Sequence, residues 1–355
     1  MSSEHQTCGE NSSTVSQERS AVVVSIVSYR TAKLVARCLA SLREERVRAN
    51  NLGIDVTVVV VDNASGDADE LEQVIVDLGI ATWTSIVRSE ENGGFAYGNN
   101  LVMRRAYESG QVPDYFWWLN PDTEVRANSI AELVKFLVAN PTAGIAGSSL
   151  ESESGERWPY AFRFPTLLSE FESGLQIGLV TRLLDEHRVL RTMGDSPECV
   201  DWMPGASMMV RRELVEAIGG MDSSYFLYYE ETDYCRRVRE AGWTIWYVPA
   251  SRVMHSAGGS TGVTTKRDRP RRLPSYWYES RRRYFQKNFG LTYAVAVDAT
   301  CVAAMVVGNI KSIALGRQAQ IVPHQVRDTL SHSVMFPKNR QLAPTQSFTP
   351  ARRPA

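Results

Sequence analysis

Residues 21–62 read AVVVSIVSYRTAKLVARCLASLREERVRANNLGIDVTVVVVD, and the fold class turns on this stretch. Its opening, 21–28, is a β-branched run without polar alternation, as expected of a strand covered on both faces. Residues 31–46 carry Leu34, Val35, Cys38, Leu39 and Leu42 on one helical stripe, with Thr31 placed to cap it. Residues 56–61 (VTVVVV) read as a second buried strand. Strand, helix and strand in that order predict a parallel pair joined by a right-handed crossover.

The pattern continues outward, with helices at 68–78 and 96–108 and strands at 85–88 and 115–119. The expectation is an α/β fold, a Rossmann-like, mostly parallel sheet flanked by helices, with ligands collecting at the carboxyl ends of the strands. After Leu150 the pattern loosens. A polar loop is read at 151–155, a helix at 167–180, and a strand at 206–210 behind Pro204-Gly205. A helix at 230–240 stops at Gly242 and a strand follows at 244–248. A flexible basic loop at 258–273 then leads into an aromatic-rich helix at 275–288.

The formal charge of −1 over 355 residues argues against a nucleic-acid binder. Five scattered cysteines without a CxxC suit reduced thiols in a cytoplasmic protein. Residues 1–20 are polar, unlike a secretory signal, and are expected to be disordered. The most apolar stretch, 294–307, is short for a membrane span and contains Asp298. Between 266 and 287 nine basic residues face only Asp268 and Glu279. That segment reads either as a solvated face or as a patch for anionic headgroups, consistent with peripheral membrane contact.

Several motifs sit where strands end. Ser28-Tyr29 follows the first strand, and Asp62-Asn63-Ala64-Ser65 the second. An Asp there can accept hydrogen bonds from a base or ribose, or can simply belong to a βα turn. Glu91-Asn92-Gly93-Gly94-Phe95 opens a helix whose free N–H groups suit phosphate, although it is not the GxGxxG of a dinucleotide-binding oxidoreductase. Asn120-Pro121-Asp122 follows the fourth strand, with Asn120 and Asp122 facing one way. Three acids, Glu230, Glu231 and Asp233, begin a helix, where they suit its dipole and Asp233 can pair with Arg237. His255, with Asp122, would make an imidazole–carboxylate site for a divalent ion. Taken singly, each motif also fits an ordinary structural role.

Their order carries more than any one of them. VSIVSYR, VVVVDNASGD, ENGGFAYGNN, WWLNPDTEV, DWMPGASMMVRR, YFLYYEETDYCRR and VMHSAGGS, followed by YWYESRRRYF, together resemble glycosyltransferase family 2, in its bacterial rhamnosyltransferase-like branch. The resemblance runs from Val22 to Phe289. It implies a GT-A fold and an inverting transfer of a sugar, L-rhamnose from a dTDP donor above all, or a hexose from UDP. The implied acceptor is a bacterial surface glycan or lipid-linked saccharide. It implies nucleotide-sugar contacts from Ser28, Tyr29, Asp62, Asn92, Gly93, Asn100, Asn120 and Asp122. Mg²⁺ or Mn²⁺ would be held by Asp122 and His255. The base would be Glu231, with Asp233 second, and the acceptor would meet Trp202, Gly205, Tyr229 and Glu230. The family pattern has Asp where this chain has Asn120, and usually Asp where it has Glu231. Those departures also leave room for an inactive nucleotide-sugar-binding protein.

The expected organisation is a catalytic domain over 21–262, with a nucleotide-sugar half (21–125) and an acceptor half (126–262). A basic loop and helical extension follow at 263–315, and a disordered tail at 316–355. Cytoplasmic placement, peripheral on the inner face of the plasma membrane, is the matching localisation.

Overall fold

The computed structural model describes residues 19–158, 160–256, 271–316 and 322–351. The expected N-terminal segment up to residue 18, most of the basic loop and the ends of the expected tail lie outside the described residues.

The first half follows the expected order: β1 (Ser20–Ser28), α1 (Ala32–Asn51), β2 (Ile54–Asp62), α2 (Ala68–Asp77), β3 (Thr84–Arg88), α3 (Gly94–Glu108) and β4 (Tyr115–Leu119). β1 pairs in parallel with β2 and β4, and β2 with β3. Trp117 and Trp118 of β4 are both fully buried, one on each side of the sheet, because successive strand residues face opposite ways.

Three elements that the sequence reading passes over come next: β5 (Thr123–Val125), α4 (Ser129–Ala139) and β6 (Ala143–Glu151). β6 is buried at every position although its sequence is AGIAGSSLE. Its hydroxyls are satisfied internally, since Ser148 Oγ lies 2.7 Å from both Ser207 Oγ and Ser251 Oγ. Glu45 of α1 is buried too, and its carboxylate accepts the Asn128 and Ile130 N–H groups (2.8 and 3.0 Å) at the start of α4.

The remaining elements are β7 (Arg157–Trp158), β8 (Tyr160–Phe162), α5 (Leu167–Leu175), α6 (Gly178–Leu183), β9 (Leu190–Thr192), β10 (Glu198–Val200), β11 (Ser207–Arg211), α7 (Arg212–Ile218), α8 (Glu230–Glu240), β12 (Thr244–His255), α9 (Ser275–Ala314) and α10 (Gln325–His332). The helix expected over 167–180 is split, because Gln176 adopts a left-handed conformation (φ 50°). The main sheet runs β10-β12-β6-β11-β4-β1-β2-β3, with β11 antiparallel to β4 and β6. β12 continues past the expected Val248 to His255, through an irregularity between Val248 and Arg252. That extension pairs with β5 and carries His255 to the Asn120–Asp122 turn.

Two expectations are corrected beyond the sheet. Residues 322–351 pack on the domain. Phe348 is buried in the core, its carbonyl accepts from Gly220 N (2.7 Å), and Gln346 N donates to Asp222 (3.1 Å). The Pro-, Gln- and Ser-rich composition concealed a segment whose backbone pairs with the 219–224 loop. Of the basic run, the described part from Arg281 to Lys287 is largely internal, whereas Arg271 and Arg272 are exposed. Arg281 pairs with Glu170 and Asp298 (2.6 and 2.7 Å), Arg283 and Lys287 pair with Asp222, and Arg272 pairs with Asp328.

Candidate active site

The ends of β1, β2 and the loop before α3 are tied together by short polar contacts. Asn63 N donates to Ser28 O (2.9 Å), and Asn63 Nδ2 donates to Asn92 Oδ1 (2.9 Å) and Gly94 O (3.2 Å). Asp62 accepts Ser65 N (3.0 Å), so its carboxylate also organises its own turn. Ser28 is buried with its hydroxyl 3.0 Å from Thr31. Tyr29 is 40 % exposed beside them. Gly94 has φ +83°, and an added Cβ would run into the Phe226 carbonyl. Gly93, just ahead of it, lies against the Tyr97 ring.

Of these, Tyr29, Asn63, Asn92 and Gly94 line a cavity of about 340 Å³ together with Phe95, Asn120 and Tyr276, whereas Ser28, Asp62 and Gly93 do not line it. Asn63 Oδ1 is buried there without a hydrogen-bond partner among the described residues, an acceptor left for a ligand. Asn63 and the aromatic side of the cavity were not singled out from sequence, where Asn63 reads as a turn residue. Asn100 does not join the cavity. Its amide exchanges hydrogen bonds with the Met221 backbone (2.8 and 3.1 Å), fastening α3 to the 219–224 loop.

A second cavity of about 340 Å³ shares Phe95, Asn120 and Leu227 with the first and adds Asp122, Trp202, Gly205, Glu230, Glu231 and His255 to its lining. The turn carrying Asp122 is held on both sides: Asn120 N donates to Ala206 O (3.1 Å) and Ser256 N to Asp122 O (3.0 Å). β12 pairs His255 with Thr123, and this register sets His255 Nε2 3.3 Å from Asp122 Oδ1 and 3.5 Å from Asn120 Nδ2.

Asp122 Oδ1 and His255 Nδ1 are buried and have no hydrogen-bond partner among the described residues. Asp122 Oδ1 and His255 Nε2, 3.3 Å apart, fit one divalent ion, since ligands at about 2.1 Å and right angles stand about 3 Å apart. Among the described residues no third His, Cys, Asp or Glu joins them, so the rest of the sphere would come from diphosphate and water.

Across the cavity α8 begins in a constrained way. Tyr228 and Tyr229 both have φ 67°, a left-handed conformation that non-glycine residues take only when surroundings enforce it. The turn directs Glu230 and Glu231 into the cavity and Tyr229 away from it. Tyr229 packs instead with Trp277 and Tyr284 (ring centroids 6.0 and 5.4 Å), and Tyr228 takes the lining position expected of it. Burial raises both carboxyls. Glu230 is pushed well above the usual range by burial and by the charge and hydrogen bond of Glu231. Burial also raises Glu231, to about 7, against the opposing hydrogen bond from Glu230. The arrangement is a carboxyl pair in which Glu230 holds its proton more firmly and Glu231 is the better acceptor. Asp233 points elsewhere and is taken up below.

Trp202 is half-buried against Phe162 (4.3 Å between ring centroids, 18° between planes), and its indole N–H donates to Arg163 O (2.9 Å). Both residues of that stack line the cavity. Gly205 lies against the Phe95 ring, where a Cβ would come within 2.8 Å.

The described family "Glycosyltransferase like family 2" matches residues 19–273. The chain is 26% identical over 252 residues, 66% of this chain and 76% of the relative, to the N-acetylglucosaminyl-diphospho-decaprenol L-rhamnosyltransferase of Mycobacterium tuberculosis. It is 27% identical over 166 residues, 46% of this chain and 61% of the relative, to the rhamnosyltransferase WbbL of Escherichia coli. Among solved structures it is similar to a mannosyltransferase of Pyrobaculum calidifontis in complex with GDP-Man and Mn²⁺, at TM-score 0.51 and 17% identity over 91% of this chain and 83% of that one. It is also similar to GalNAc-T7 with UDP, GalNAc and Mn²⁺, at TM-score 0.52 and 14% identity over 86% of this chain and 56% of that one. These structures share the GT-A fold. The chain has the GT-A fold and belongs to the glycosyltransferase-like family 2, in its rhamnosyltransferase-like branch.

Proposed function

We propose that this transferase moves L-rhamnose from a dTDP donor to a hydroxyl of a lipid-linked saccharide at the inner face of the plasma membrane, with inversion at the anomeric carbon. The supporting observation is that Asp122, His255, Glu230 and Glu231 line one cavity that adjoins the cavity of Tyr29, Asn63 and Asn92. In this reading the nucleotide lies in the latter, with Asn63 Oδ1 as an acceptor for a base or ribose donor. The donor sugar lies near Phe95 and Asn120, which both cavities share.

Asp122 and His255 would hold Mg²⁺ or Mn²⁺, which when bound offsets the negative charge of a diphosphate. Glu231 takes the proton of the acceptor hydroxyl as its oxygen bonds to the anomeric carbon. The bond from that carbon to the diphosphate breaks, and the diphosphate leaves with the electron pair. Burial suits Glu231 to this role, since a base works best with a pKa near the working pH. Glu230, holding its proton, donates to Glu231 or to the acceptor. The Trp202–Phe162 stack offers the apolar face of a sugar ring a platform.

A panel of dTDP- and UDP-sugars tested by thermal shift, with and without Mn²⁺, followed by transfer to a polyprenyl-diphospho-N-acetylglucosamine acceptor, tests the reading. The dTDP-rhamnose signal should be the largest and should grow with Mn²⁺. A preference for a UDP-hexose would overturn the donor, and binding without transfer would overturn the activity.

A further inference from the structure

We propose that α6 and the second half of α9 form a face that lies in the surface of a lipid bilayer. The choice of a bilayer as occupant rests on the lipid-linked acceptor proposed above. The face itself rests on how these two helices bury their side chains.

Gly290 (φ 83°, ψ 169°) breaks α9, so 291–314 runs as a helix of its own. Its sequence contains only two charged residues, Asp298 and Lys311. An 18-residue window of α9 has a mean hydropathy of 1.8, as apolar as a membrane-crossing helix, yet only 33% of it is buried in the protein. A core helix of a water-soluble domain would bury far more of such a surface.

The two faces of 291–314 divide cleanly. Val297, Cys301, Ala304 and Met305 are buried, and Gly308 approaches α5 so closely that a Cβ would meet Gly174 O at 2.7 Å. Asp298 also faces inward, bonded to Arg281 (2.7 Å) and to Val334 N (3.0 Å), so its charge is spent inside the protein. The opposite face presents Ala299, Ala303, Val306, Val307, Ile310 and Ile313, all exposed and recurring every three or four residues. Ile310 and Ile313 are 62% and 73% exposed.

α6 widens this stripe. Lys311 Nζ donates to Gln176 O (3.2 Å), which holds the start of α6 beside the last turns of α9. Leu179 and Leu183, one turn apart on α6, are 69% and 74% exposed. A single seam with this spacing would also suit a helix from a second copy. Exposed apolar side chains from two helices, α6 starting two residues beyond Gln176, extend the apolar surface past a single seam, the form that an interfacial membrane contact takes. The exposed Arg182, next to Leu183 on α6, has a stem long enough to reach headgroups while its apolar part stays in the face. Because the opposite side of 291–314 is packed on α5, the helix lies in the bilayer surface and does not cross it.

The test is flotation of the full chain with phosphatidylcholine vesicles and with vesicles that also contain phosphatidylglycerol. Wild type should float with both. Ile310→Glu with Ile313→Glu, and separately Leu179→Glu with Leu183→Glu, should each reduce the bound fraction by about tenfold or more. Ile310→Leu with Ile313→Leu should float as wild type does. All these positions are exposed, and unchanged thermal unfolding will show that the variants fold. Wild type that stays in the soluble fraction with both vesicles overturns the proposal. So does a dimer in sedimentation velocity that the glutamates dissociate while vesicle binding is unaffected. Transfer to a soluble, lipid-free acceptor is read in parallel and should survive in the glutamate variants. If wild type floats but does not transfer, the catalytic reading fails and the membrane face stands.

Discussion

Lys287 and Asp233 form an ion pair of 2.8 Å between α9 and the first turn of α8, directly beneath the residues that present Glu230 and Glu231. The same ammonium lies 3.0 Å from Asp222, and Asp233 is fully buried, 3.4 Å from Arg237 and accepting from Tyr225 (3.2 Å) and Asn288 (3.1 Å). The sequence reading has Asp233 as a helix-start charge paired with Arg237 and as the second candidate for the base. It does not line the cavity, so its proposed role is structural.

Asp233→Ala should therefore cost much more than a surface charge. Removing one partner of a buried ionic cluster costs about 3–5 kcal/mol, because the other charges are left without compensation. Urea unfolding will measure this. A loss below about 1 kcal/mol, the scale of an exposed pair, would show that the cluster is solvated.

Glu231→Gln keeps shape and polarity but cannot take a proton. Turnover should fall by about 10²–10⁴-fold with donor affinity nearly unchanged. Glu230→Gln keeps a donor beside Glu231 and should be milder in turnover. Pre-steady-state transfer with saturating donor separates the two. A Glu231→Gln enzyme as fast as wild type would remove Glu231 from the mechanism.

The raised Glu231 carboxyl makes a signed prediction about pH. Its deprotonated form is the base, so the transfer rate should rise with pH through about 7 and level off above it. Stability should move the other way. A carboxyl whose folded pKa lies above its unfolded value binds more protons in the native state. Stability is therefore greatest below the ordinary carboxyl range and falls as pH rises towards 7. Glu231→Gln should flatten both profiles in that window. Asp222 has the opposite sign. Burial alone would raise it, but Arg283 and Lys287 hold it well below the usual range, so its contribution is present above the ordinary carboxyl range and is lost progressively as pH falls below it.

Asp122→Ala should abolish Mn²⁺-dependent donor binding while leaving thermal unfolding of the free protein close to wild type. His255→Ala should weaken the same dependence less, because one carboxylate ligand and the diphosphate remain. Calorimetric titration of donor with and without Mn²⁺ reads both. Equal donor affinity in wild type and Asp122→Ala at saturating Mn²⁺ would remove the metal site.

The sequence by itself determined the first half of the sheet. Buried parallel strands are continuous β-branched runs, and Ser20–Ser28 and Ile54–Asp62 satisfy that local rule without reference to the rest of the chain. It also put Asp62, Asn92 and Asp122 at or just beyond strand ends, where such a sheet exposes polar groups. Only the tertiary structure decided what depended on partners distant in sequence. β6 is a strand because β11 and β12 flank it and its buried Ser148 finds Ser207 and Ser251, which no window around AGIAGSSLE contains. Asn100 left the candidate site for Met221, and Tyr229 left it for Trp277 and Tyr284, since one residue of helix phase decides which way a side chain points. The basic run from Arg281 to Lys287 reads as a solvated patch in the chain. In the fold it lies inside, because Glu170, Asp222, Asp233 and Asp298 arrive from four other places to neutralise it. Burial of a charge is a property of its neighbours, and neighbours are what folding supplies.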